Sequence, residues 1–244
     1  MSTLRFGFLL FPNVTQLDLT GPYEVLARVP GAELHLVWKT LDPVRSDSGL
    51  RILPTMTFAD APDFDLFLVP GGPGVDPLLG DAETLAFVRR QGRAAKHLVS
   101  VCTGALVLGA AGLLKDRRAA THWASMPFLT AFGAKPVAER VVVDGTLCTG
   151  GGVTAGIDVA LALVGELQGK PRGQAIELFI EYAPQPPYGT GAPDRAPPEL
   201  LGTVRSILAP VLERRRVAVE AAAAVLAEAA PGGGTIASPG AEPV

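Results

Sequence analysis

The chain has 244 residues; 48% are hydrophobic, 18% are charged and the net charge is −3. That fits one large α/β domain with enough apolar side chain to bury a core. It argues against a nucleic-acid partner, because the basic run Arg214-Arg215-Arg216 has no interleaved aromatics and reads as a solvated helix face.

Two cysteines, Cys102 and Cys148, do not make a secreted disulfide framework. The apolar run near the N-terminus is too short for a membrane span and lacks a small-residue cleavage site. A cytoplasmic protein without a membrane partner is expected.

Residues 4–11 form an unbroken apolar run, as a strand covered on both faces does. A helix is predicted over 17–29, with Leu17, Leu19, Val25 and Leu26 apolar, and a strand over 33–39. Asp47-Ser48-Gly49 signals a tight turn, hence a small hairpin within 44–57. Asp65 to Val69 reads as a buried strand ending in the loop Pro70-Gly71-Gly72-Pro73-Gly74. A helix over 81–95 precedes a strand, His97 to Val101, which turns through Cys102 into a helix over 103–111. A short strand at 117–121 leads to His122. A helix over 124–132, strands near 139–143 and 146–149, and helices opening at Thr154 and Pro171 complete the pattern.

Strands alternating with helices imply a doubly wound parallel sheet, which binds ligands at the carboxyl ends of its strands. Cys102, Gly71-Gly72 and His122 are all expected at such ends. Residues 1–182 read as the α/β domain, 183–229 as a Pro-rich arm with an Ala-rich helix, and 230–244 as a disordered tail.

Cys102 carries the strongest chemical signal. A strand–residue–helix turn forces its central side chain into a strained, exposed position, and the following helix N-terminus would lower a thiol pKa. A packed small hydrophobe is the alternative. The Gly71 and Gly72 N–H groups, with that of Thr103, are candidate oxyanion donors, or Gly71-Gly72 is an ordinary turn. Asp18 lies among apolar neighbours. It is either a helix cap or a partly buried carboxyl facing the thiol, with a raised pKa. His122 is a base or orienter for the thiol, or a structural histidine. Glu24 reads as a structural or interface carboxylate, and Cys148 as packing. No metal-ligand spacing and no phosphate loop is present in the sequence, so neither metal nor nucleotide is expected.

Taken jointly, these segments resemble the PfpI-like branch of the class I glutamine amidotransferase-like superfamily over about residues 4–182. The resemblance rests on Leu17-Asp18-Leu19-Thr20-Gly21-Pro22, Val69-Pro70-Gly71-Gly72, Val101-Cys102-Thr103-Gly104, Thr121-His122-Trp123 and Ala155-Gly156-Ile157-Asp158. It implies a flavodoxin-like sandwich, a homodimer and a cysteine at a nucleophile elbow.

Many members of that branch, among them proteases, glyoxalases and deglycases, carry a glutamate near the cysteine. Asp18 with its Leu-Thr-Gly-Pro continuation instead resembles the isonitrile-hydrating members. These need an aspartate, a cysteine and the threonine after it, which correspond to Asp18, Cys102 and Thr103. The resemblance then implies a hydro-lyase that converts a neutral isonitrile to an N-substituted formamide through a thioimidate, without a cofactor. The alternatives are an enzyme on reactive carbonyls, or a non-catalytic sensor related to AraC-type regulators. Those regulators continue into a helix-turn-helix pair, where this sequence has an Ala-rich helix.

Overall fold

The computed structural model describes residues 3–229; the expected tail at 230–244 lies outside them. In chain order the elements are β1 (Leu4–Leu9), α1 (Gln16–Leu26), β2 (Ala32–Trp38), β3 (Val44–Arg45), β4 (Arg51–Ile52), β5 (Met56–Thr57) and β6 (Leu66–Val69). They continue with α2 (Val75–Leu78), α3 (Ala82–Ala94), β7 (His97–Ser100), α4 (Gly104–Ala110), β8 (Arg118–Ala119), a 3-10 segment (Trp123–Phe132) and β9 (Lys135–Pro136). Last come β10 (Val141–Asp144), β11 (Leu147–Gly150), α5 (Ala155–Gln168), α6 (Lys170–Phe179) and α7 (Pro198–Ala229).

Seven strands form the main sheet in the order β10-β11-β7-β6-β1-β2-β5. Every pairing is parallel except that of β10 with β11. The apolar run in β1 is explained by its central place: Phe6, Phe8 and Leu9 are fully buried, between β2 on one edge and β6 on the other. The chain leaves β1 toward β2, then crosses back to β6 and β7. Right-handed crossovers in opposite directions put α1 on one face and α3 and α4 on the other. Accordingly α1 packs with α5 and α5 with α6, whereas α4 packs with α3, the 3-10 segment and α7. The switch in direction lies at the carboxyl ends of β1, β6 and β7, where ligands bind in open α/β sheets.

The predicted hairpin is present as β3 antiparallel to β4, outside the main sheet. The strand expected before His122 is different. It shrinks to β8, which pairs with β9, because β7 is already flanked by β6 and β11, and β11 by β10. The helix expected over 124–132 is a 3-10 segment with Pro127 inside it, and proline removes an N–H that an α-helix would use. The long α7 folds back over its own chain, against the 3-10 segment, α2 and α4. Its buried residues are Arg215, Val219 and Ala222.

Candidate active site

The elbow is built from backbone first. Cys102 has φ +53°, a left-handed conformation that costs a non-glycine residue about 1–2 kcal/mol. Three hydrogen bonds hold it there. The Cys102 N–H donates to Gly151 O at 2.8 Å and Gly150 O at 3.2 Å, and the Thr121 hydroxyl donates to Cys102 O at 2.6 Å. The elbow is therefore locked by the loop after β11 and by the segment leading to His122.

Asp18 sits in the first turn of α1 and is fully buried. Its Oδ2 accepts the Gly71 N–H at 2.9 Å, while Oδ1 has no hydrogen-bond partner among the described residues. The carboxyl faces the Cys102 thiol. Burial, against the opposing pull of the Gly71 N–H and Cys102, raises its pKa to about 7; Asp47 on the β3–β4 hairpin adds a smaller upward push. Thr103 completes the cluster. Its Oγ1 accepts the Gly72 N–H at 3.0 Å, and its own N–H faces the Cys102 sulfur.

Two sequence expectations change here. The Gly71 and Gly72 N–H groups are bound to Asp18 and Thr103, so they are not open oxyanion donors. They act as struts that aim the carboxyl and the hydroxyl. Gly71 is required by space: an added Cβ would lie 2.5 Å from Thr103 N and 2.8 Å from Asp18 Oδ2. Gly72 has φ +130°, and a Cβ there would run into the Thr15 backbone nitrogen.

The second change concerns the thiol. Cys102 is buried, and that burial, followed by the charge of Asp18, pushes its pKa well above the ordinary thiol value despite the Thr103 N–H. Desolvation outweighs the seven-residue helix behind it. The resting group is a neutral thiol beside a buried carboxyl.

His122 reaches the elbow from the side rather than from a strand of the main sheet. The Thr121 hydroxyl on Cys102 O, and the Ala120 N–H on Thr149 Oγ1 at 2.8 Å, tie its segment to β11 and the elbow. Its Nδ1 accepts the Ala124 N–H at 3.3 Å. Burial first, then the charge of Arg215, lower its pKa, so the neutral ring carries its proton on Nε2. Nδ1 is thus occupied by the Ala124 N–H. Glu24 pairs with Arg28 at 2.6 Å on the surface of α1. Cys148 is buried in β11, with its pKa pushed up to about 12 by that burial. Among the described residues, no group of three or more His, Cys, Asp or Glu is placed to hold a metal ion.

Arg215 is the residue that the sequence reading placed wrongly. It is 6% exposed, not a solvated face. Its Nε donates to Asp76 Oδ1 at 2.7 Å and its Nη1 to Ser125 Oγ at 3.0 Å. A signal was available: Arg215, Val219 and Ala222 share one helical stripe, so a charge there needs a buried partner.

The model of the DJ-1/PfpI family matches residues 5–166. This chain belongs to the DJ-1/PfpI family. Within it, the chain is 55% identical to the isonitrile hydratase of Pseudomonas putida, over 91% of this chain and 98% of that protein. It is 33% identical to the transcriptional regulator GbdR of Pseudomonas aeruginosa, over 71% of this chain but 50% of the regulator. A crystal structure of a family member from Pseudomonas syringae superposes with TM-score 0.87 at 40% identity, covering 91% of each chain. That match extends past the α/β domain into the region of α7. The flavodoxin-like sandwich expected from the sequence is the fold observed.

Proposed function

We propose that this protein is an isonitrile hydratase, a hydro-lyase that adds water to an isonitrile to give an N-substituted formamide. One observation carries the reading: the 55% identity with the Pseudomonas putida isonitrile hydratase over nearly the whole of both chains. The buried carboxyl facing a buried thiol supports it, because that pair suits a small neutral substrate.

Asp18 and Cys102 form the reacting pair. Above a pH of about 7 Asp18 is ionised, and the pair holds one transferable proton, on sulfur. As the isonitrile carbon approaches, Asp18 accepts the thiol proton and sulfur bonds to carbon. Asp18 returns the proton to that carbon, giving the thioimidate R–N=CH–S–Cys102. Converting the charged thiolate into a neutral thioether removes the anion that burial disfavours. Asp18, again a carboxylate, takes a proton from water and passes it to nitrogen as hydroxide adds to the same carbon. The tetrahedral species R–NH–CH(OH)–S–Cys102 then expels sulfur, which recovers its proton, and leaves R–NH–CHO. One water is consumed and each proton is accounted for. A single hydration is thereby split into two easier steps.

Thr103 contributes its N–H to the sulfur when sulfur carries charge, and its hydroxyl is fixed through Gly72. His122 offers its Nε2 proton to the species bound at Cys102. A homodimer suits the exposed Leu178 and Phe179 at the end of α6, which are 81% and 75% exposed. The cytoplasm is the proposed location; among the described residues, no helix is long and apolar enough to cross a membrane.

The test is incubation with cyclohexyl isocyanide, with N-cyclohexylformamide read by mass spectrometry. Formamide formed by the native protein supports the assignment. Its absence, with methylglyoxal turned over instead, assigns the chain to the carbonyl-directed enzymes of the fold.

A further inference from the structure

The α7 helix carries a buried cation into the neighbourhood of the thiol. Arg215 lies where three segments converge, two of them leaving the carboxyl ends of β6 and β7 and one following β8. Asp76 stands on α2, a few residues past Gly71-Gly72. Ser125 stands in the 3-10 segment that begins beside His122. The third segment, α4, starts at the elbow, and α7 packs on it as well as on α2 and the 3-10 segment. Arg215 thus bonds to the first two segments through Asp76 and Ser125, while its helix lies on the third. The ion pair with Asp76 is nearly dry, at 7% and 15% side-chain exposure.

We propose that Arg215 is a positioning residue of the active site: it clamps the glycine loop's continuation to the His122 segment and fixes a positive charge behind Cys102. This rests on the reading of Cys102 as the reacting thiol. Arg215 touches neither Cys102 nor His122 by hydrogen bond; it acts through its held position and its field. The groups facing Cys102 are Asp18, whose charge opposes its ionisation, and the Thr103 N–H and Arg215, which favour it. Arg215 is also the charge facing His122, where it disfavours the imidazolium. Both effects have one sense. They ease proton departure from the thiol and keep His122 neutral, so that no second cation is buried beside the first.

Asp76 is part of the device. A bare guanidinium this deep is costly, and one carboxylate with one hydroxyl offsets it while leaving a net dipole whose positive end is at Arg215. Lysine at 215 keeps the charge but loses the two-nitrogen clamp. Charge and geometry are therefore separable by mutation.

The experiment reads Cys102 directly and needs no isonitrile turnover. The rate of iodoacetamide alkylation of Cys102 is followed against pH by peptide mass spectrometry in the native protein, Arg215→Lys, Arg215→Met and the double variant Asp76→Asn/Arg215→Met. The double variant leaves no unpaired carboxylate and serves if Arg215→Met alone does not fold. At fixed pH below the thiol's midpoint, alkylation slows severalfold in the methionine variants and returns toward the native rate in Arg215→Lys. A native rate in the folded double variant overturns the inference. So does an Arg215→Lys rate as low as that of Arg215→Met. If the native protein fails to hydrate cyclohexyl isocyanide while the rate still falls, the functional assignment fails and Arg215 keeps its role.

Discussion

Asp18 shows how one residue serves two opposed demands. Its pKa of about 7 comes from burial, so the folded protein holds a proton that an unfolded chain, near the ordinary carboxyl value, releases. The protonated form stabilises the fold fully at pH below about 4, and that contribution is lost as the pH rises through about 7. Asp18→Asn keeps the shape without the ionisation. Thermal melts are expected to show the variant overtaking the native protein as pH rises from 5 to 8, with a gain on the order of 4 kcal/mol at most. Its turnover falls by ~100–10,000-fold, the usual size of a lost acid–base group. The native kcat/KM rises with pH to a plateau, with a midpoint near 7. A flat profile between pH 5 and 8 rejects Asp18 as the proton acceptor.

Cys102 carries strain as well as the chemistry proposed for it. Cys102→Ala abolishes turnover but keeps a side chain at φ +53°, whereas Cys102→Gly is equally inactive and relieves the conformation. In denaturant titrations the glycine variant is expected to exceed the alanine variant by about 1 kcal/mol. Equal stabilities would mean that the elbow is not under strain.

At the level of elements, the site depends on how closely helices and loops approach one another. Gly104 opens α4 against the backbone carbonyls of Val69 and Pro70, and a Cβ there would overlap the first and lie 2.7 Å from the second. Gly156 opens α5 against Pro22 of α1, with room for a Cβ only 2.9 Å from Pro22 Cδ. Because α1 carries Asp18, pushing α1 away from α5 moves the carboxyl but not the thiol. Gly156→Val is therefore expected to lower kcat while Cys102 alkylates at least as fast as in the native protein, because the opposing charge of Asp18 recedes from the thiol. Loss of alkylation together with kcat would place the damage at the elbow instead.

The order of secondary elements was legible in the sequence because period and punctuation fix it locally. The apolar run at 4–11, the Asp47-Ser48-Gly49 turn and the glycine loop after β6 each carry their own signal. The segment before His122 was less legible. Whether a short apolar stretch joins a sheet depends on whether an edge is free, and here β7 and β11 are already paired.

For the whole molecule, α7 changes what counts as the domain. The Pro-rich arm at 183–197 reads as a break in the sequence, but α7 returns to cover α4 and supplies a buried charge. Val219 is 1% exposed on α7. Val219→Asp would bury a carboxylate one turn from an Arg215 already bonded to Asp76 and Ser125, and calorimetry is expected to show a loss of several kcal/mol together with reduced alkylation of Cys102. A melt like that of the native protein would mean that α7 detaches without consequence.

By itself the sequence determined the α/β order and the place of Cys102 at a strand-to-helix turn, because both are encoded by local pattern; Asp18 as its carboxyl neighbour was implied only by the family resemblance. Only the tertiary structure decided the protonation logic and the reach of Arg215. A thiol pKa depends on how much water burial removes, and the turn alone suggested the opposite sign. The glycine N–H groups looked free until the positions of Asp18 and Thr103 showed which acceptors they meet. Arg215 looked solvated until the fold set Asp76, 139 positions earlier, against it.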